Sequence, residues 1–122
     1  MNRNPSFLSS IHNALAGIQY VIRTQRNAKI DLVITLLVLI GAIFFHLNAF
    51  EWIAILFATG LVWTSECLNT GIEKATDLSS PEIHPLARAA KDSAAGGVLI
   101  AALTAASIGA IIFLPKFIAL VR

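Results

Sequence analysis

The chain has 122 residues, 57% of them hydrophobic and 13% charged, with a mean hydropathy of +0.76. A soluble domain averages about 45–50% apolar and about 25% charged residues, so a soluble domain and a disordered segment are both excluded, and the length allows one domain. The lone cysteine, Cys67, excludes an internal disulfide framework and a Cys-based zinc site, while a net charge of +2 and a pI near 9.0 point to a basic face near lipid headgroups and to no nucleic-acid partner.

In chain order, residues 6–23 come first. Phe7, Leu8, Ile11, Ala14, Leu15, Ile18, Val21 and Ile22 recur at three- and four-residue steps between Ser9, His12, Asn13, Gln19 and Arg23. This spacing predicts an amphipathic helix, with Pro5 and Ser6 as start signals. Followed by Arg26 and Lys29, it is expected to lie in the membrane surface, ahead of the alternative of a soluble cap on the bundle.

Three spans follow. Residues 32–50 are 19 residues without Asp, Glu, Lys or Arg, residues 52–72 are 21 with Glu66 as their one charge, and residues 94–114 are 21 with none. A spanning helix needs about 20 predominantly apolar residues. The first span starts too far into the chain and lacks the cleavage site of a signal peptide. The expected architecture is all-α and membrane-integral. A surface helix covers 6–23, the first span 30–50, and the second 51–77 with a cytoplasmic extension. A cytoplasmic loop occupies 78–84, and a third helix covers 85–114. Ser79, Ser80 and Pro81 break the second helix, and Pro85 suits the first turn of the third.

Basic residues set the expected orientation. Arg3, Arg23, Arg26 and Lys29 precede the first span, Lys74, Arg88 and Lys91 lie between the second and third, and only Lys116 and Arg122 follow. The positive-inside rule then puts the N-terminus and segment 74–93 in the cytoplasm and the C-terminus outside.

Glu66 is the most informative residue, because a carboxylate inside a hydrophobic span is costly and marks a functional site. Glu66, Asn69, Glu73 and Asp77 follow one another at steps of three, four and four. At about 100° per residue they share one helix face. With a rise of about 1.5 Å per residue, Glu73 lies about 10 Å beyond Glu66. One polar stripe therefore leads from within the lipid to the aqueous side. Acidic oxygens on such a face suit Mg²⁺, which takes one or two carboxylates plus substrate phosphates. Lys91 and Asp92 sit at the same end, where a lysine binds phosphate as a point charge. The set points to phosphoryl transfer to a lipid hydroxyl, yet ion transport and a polar subunit interface account for it equally well. No Walker A sequence or Gly-rich kinase loop is present. In the third helix Gly97, Ala101, Ala105 and Gly109 recur every four residues, a spacing that lets helices approach closely in lipid. Three helices bury such a stripe poorly, so a homo-oligomer is expected.

The run from Glu66 through Asn69, Glu73 and Asp77, then Glu82, His84, Lys91 and Asp92, resembles the prokaryotic diacylglycerol kinase family, which includes undecaprenol kinases. The resemblance covers roughly residues 6–114. It implies a small bacterial inner-membrane enzyme, a homotrimer with active sites shared between subunits, that moves the γ-phosphate of MgATP to a lipid alcohol. The same resemblance makes Glu66 the general base, supported by Asn69, and Glu73 a metal ligand. Asp77, Glu82, His84, Lys91 and Asp92 are implied to hold nucleotide and phosphates, although His84 and Asp77 read equally well as helix-end residues. One position departs from the family. Gln25, in Thr24-Gln25-Arg26-Asn27, stands where a second metal-binding glutamate is usual, and Asp31 is a candidate to compensate. The alternative is a non-catalytic or degenerate kinase-like oligomer, or a small channel or transporter component. The clustering of acidic residues toward one membrane face argues against transport.

Overall fold

Ser6 starts the first helix. Its Oγ accepts a hydrogen bond from the Ser9 N–H at 3.2 Å, satisfying one of the free donors of a helix N-terminus. The computed structural model describes residue 4 and residues 6–122, so the start signal at Pro5 and the topology mark at Arg3 lie outside the described residues. Helix α1 spans Phe7–Thr24 and ends because Gln25 is extended, with φ −103° and ψ 123°. That single residue separates α1 from α2, Arg26–Phe44. Helix α2 thus begins four residues earlier than the expected start at 30.

The far end of α2 differs more. The expected span ran to residue 50, but the helix stops at Phe44. His46 adopts a left-handed φ of 51°, and Asn48 opens the next helix with a capping box. The Glu51 N–H donates to Asn48 Oδ1 at 2.9 Å, and the Asn48 N–H donates to Glu51 Oε1 at 3.1 Å. The apolar run is unbroken across this turn because Phe45 and Leu47 pack inward instead of continuing a span.

Helix α3 is Ala49–Ser79, 31 residues, and α4 is Pro85–Val121, 37 residues. At about 1.5 Å per residue both exceed a hydrocarbon core of about 30 Å. Helix α4 runs through Pro115, beyond the expected end at 114. Helices α2, α3 and α4 are each long and apolar enough to cross a membrane. The chain is an all-helical, multi-pass membrane protein.

Helices α3 and α4 pack along one another, α2 packs on α3, and α1 touches α2 and α3. The core gathers at the α2–α3 turn: Ala42, Leu47, Ile55 and Ile112, with Phe45, Trp52 and Phe113 against them. Phe45 meets Phe117 edge-on at 5.1 Å. Gly41 lets the Phe113 ring approach α2, since a Cβ there would stand 3.2 Å from Phe113 Cε1. Lys116 Nζ pairs with Glu51 Oε2 at 2.9 Å, stapling α4 to the start of α3. Most other large apolar side chains face outward, Phe57 at 76% and Ile100 at 68% among them. A lipid-facing surface requires this.

Candidate functional site

The polar stripe of α3 begins in the interior. Glu66 and Thr70 are each only 3% exposed, the two buried polar residues among those described. The Thr70 hydroxyl donates to the Glu66 backbone oxygen at 2.9 Å, so it needs nothing from the stripe. The Glu66 carboxyl meets a partner that its own helix does not provide. Asp31 of α2 lies within hydrogen-bonding reach of it. Two carboxyls set side by side repel when both are ionised, so the pair is costly unless a proton or a cation stands between them. Asp31, expected as a substitute metal ligand, is therefore set against Glu66. The helix carrying Asp31 is held to α3 by Trp63, whose Nε1–H donates to Thr35 Oγ1 at 3.0 Å. An apolar cleft of about 240 Å³ opens beside Asp31 and Thr35, with Ala105 and Gly109 of α4 on its far wall.

Asn69 comes next. Its Oδ1 is buried and accepts no hydrogen bond from the described residues. A buried acceptor left unpaired costs about 1–3 kcal/mol, so this atom is available to a donor from another molecule. Glu73 is half-buried and makes no ion pair among the described residues.

Further along the stripe, the last turn of α3, the 80–84 turn and the first turns of α4 line a polar cavity of about 350 Å³. Asp77, Glu82, His84, Lys91 and Asp92 all line it, so the five residues expected to hold nucleotide and phosphate share one space. The Lys91 ammonium donates to Asp77 Oδ1 across the turn. That bond holds the Asp77 carboxyl below the usual carboxylate range and raises Lys91. His84 also caps α4, its Nδ1 accepting from the Leu86 N–H at 3.1 Å. Arg88 lines the same cavity and pairs with Asp92 at 3.7 Å. The sequence marks Arg88 only for topology, although its position three residues before Lys91 puts both cations on one face.

For a divalent cation the donors are sparse. Among the described residues no three of His, Cys, Asp and Glu converge. Glu73 offers one carboxylate, and Gln25, whose side-chain N–H₂ donates to Thr24 Oγ1 at 3.4 Å, keeps its carbonyl oxygen as a possible ligand. No hydrogen bond or ion pair among the described residues joins Gln25 to Glu73, so a cation held at either would take most of its ligands from phosphates and water, as Mg²⁺ does.

The profile of the family described as "Prokaryotic diacylglycerol kinase" matches residues 12–113. The chain is 41% identical over 110 residues to the undecaprenol kinase of Bacillus subtilis, covering 90% of this chain and 89% of that protein. It is 38% identical over 117 residues to a diacylglycerol kinase of Synechocystis, covering 95% of this chain and 67% of the other. A diacylglycerol kinase of Helicobacter pylori is 42% identical over 50 residues, 41% of this chain and 39% of that protein. A match across nearly the whole chain, with the stripe and the cavity inside it, makes this protein a member of the prokaryotic diacylglycerol kinase family.

Proposed function

We propose that the chain is an ATP-dependent lipid kinase that moves the γ-phosphate of ATP to the hydroxyl of a membrane lipid alcohol. The observation that carries this reading is a buried carboxyl, Glu66, on the same helix as a polar cavity further along the stripe. At about 1.5 Å per residue, Asp77 stands about 16 Å along the axis from Glu66. One end meets a lipid headgroup and the other a soluble nucleotide.

In the proposed reaction the lipid hydroxyl oxygen forms a bond to the γ-phosphorus. Its proton passes to the Glu66 carboxylate, and the bond between the γ-phosphorus and the bridging oxygen breaks to release ADP. Lys91 binds phosphate, Asp77 fixes Lys91, and Glu82, His84 and Asp92 order the cavity. Glu73 and Gln25 would hold Mg²⁺, which neutralises phosphate charge in transfers of this kind. Asn69 Oδ1 supports the site as an unengaged acceptor.

Between the two lipids in the relatives' names, undecaprenol is the favoured substrate, since the undecaprenol kinase matches most of both chains. The proposed assembly is a homotrimer with shared sites, in which a neighbour covers the open stripe. The proposed orientation has segment 74–93 and the N-terminus in the cytoplasm and the C-terminus outside.

The test is labelled ATP with undecaprenol and with diacylglycerol in mixed micelles of folded protein. Phosphate should appear on one lipid alcohol, undecaprenol first. No labelled lipid from either would sink the reading and leave the degenerate oligomer. Gln25→Glu should lower the Mg²⁺ concentration at half-maximal rate. Unchanged Mg²⁺ dependence would remove Gln25 from the metal site.

A further inference from the structure

Arg88 is a cation in the polar cavity without a task in the reading above. We propose that Arg88 is a second phosphate-binding residue of this cavity, engaging a phosphate that Lys91 does not. The proposal rests on the reading of the cavity as a nucleotide site.

Three observations carry it. First, Arg88 lines the same 350 Å³ space as Asp77, His84 and Lys91. At a spacing of three on α4 it is a direct neighbour of Lys91, with Cβ atoms about 5–6 Å apart. Second, the two cations are held differently. Lys91 is bonded across the turn to Asp77. Arg88 has only Asp92 of its own helix, at 3.7 Å, with side chains 82% and 72% exposed. A pair so exposed is worth little and gives way to a better anion. Third, the cavity carries three carboxylates, Asp77, Glu82 and Asp92, against the two cations Lys91 and Arg88, a net charge of −1. A polyphosphate is repelled by that balance unless both cations turn to it, and without Arg88 the balance is −2. The guanidinium also supplies what Lys91 lacks, a planar fork of donors that matches two phosphate oxygens at once.

Phosphate at this depth has two sources, a nucleotide or an anionic lipid headgroup, and the experiment separates them. Arg88→Ala, Arg88→Lys and Lys91→Ala are compared with the parent for ATP dependence in micelles of an uncharged, phosphate-free detergent. The comparison is repeated in vesicles with and without phosphatidylglycerol. In micelles Arg88→Ala should raise the KM for ATP about tenfold, about 1.4 kcal/mol, with a smaller fall in kcat. Arg88→Lys should recover only part, because the charge returns without the fork. An unchanged KM in Arg88→Ala, beside a raised one in Lys91→Ala, overturns the role of Arg88 and leaves the nucleotide site standing. An unchanged KM in both overturns the nucleotide reading itself. An effect seen only in phosphatidylglycerol vesicles assigns Arg88 to headgroups and overturns the proposal. Equal loss in the alanine and lysine variants, with a lowered unfolding temperature, marks a structural residue and also overturns it.

Discussion

The two ends of the helix bundle solve opposite problems. At the α2–α3 turn the charged and capping groups are matched: Asn48 and Glu51 cap each other, and Lys116 closes on Glu51. Aromatic rings fill the space around them. At the other end Glu66 faces another carboxyl, Asn69 Oδ1 has no donor, and Glu73 has no cation. Polar groups left unmatched are costly, so a chain that completes its pairing at one end and leaves it open at the other has reserved that end for ligands. The matched pairs stabilise the first region and the proposed chemistry lies in the second, and substitutions should separate them.

The largest effect belongs to the open end. Glu66→Gln keeps the side chain's shape but removes the carboxylate proposed as the base. Lipid phosphorylation should fall by a factor of about 10²–10⁴, with the unfolding temperature in detergent unchanged or raised. A wild-type rate would remove Glu66 from the chemistry. At the closed end the outcome inverts. Asn48→Ala should cost about 1 kcal/mol of stability through the lost cap and leave the KM for ATP alone. Glu51→Ala should cost more than Asn48→Ala, since it loses the reciprocal cap and the ion pair together. Thermal unfolding in one detergent gives the ranking.

A finer probe uses two glycines. A methyl group at Gly41 presses on Phe113 at 3.2 Å, whereas at Gly109 nothing lies within 4 Å. Gly41→Ala should destabilise by about 1 kcal/mol, and Gly109→Ala should be neutral or mildly stabilising. Equal effects would contradict tight packing at the closed end. The smallest effect is electrostatic. Asp77 is held below its ordinary carboxyl range by the Lys91 hydrogen bond, and Lys91 is raised by the same bond. The pair contributes to stability above the unfolded carboxyl value of about 4 and below the unfolded lysine value of about 10. It is lost as pH falls through the folded value of Asp77 or rises through that of Lys91. The stability gap between the parent and Asp77→Asn should be flat across neutral pH and close in acid.

Much of this was legible in the sequence because a helix repeats. Glu66, Asn69, Glu73 and Asp77 fall on one face by spacing alone, and Lys91 follows from the break at Ser80 and Pro81. Contacts between helices were not legible. Asp31 meets Glu66 only because α2 packs on α3, which no periodicity within either helix encodes. Arg88 does not stand out in the sequence, because a cation four residues before an aspartate is ordinary on any helix surface. The turn at 45–48 falls inside the expected span because none of Phe45, His46, Leu47 and Asn48 carries a formal charge, and its left-handed position is His46 without a glycine to mark it. The third helix is expected to end at 114, yet α4 continues through Pro115 to Val121.

The outward-facing apolar side chains also bear on how the protein is handled once extracted. With Phe57 and Ile100 turned outward and only a small core at one end, part of what holds the helices together is the medium around them. Changing the length or headgroup of the amphiphile should therefore shift the melting temperature of the parent and of every variant in common. It should leave the difference between Gly41→Ala and Gly109→Ala nearly constant, because that difference is set by Phe113 and not by the solvent.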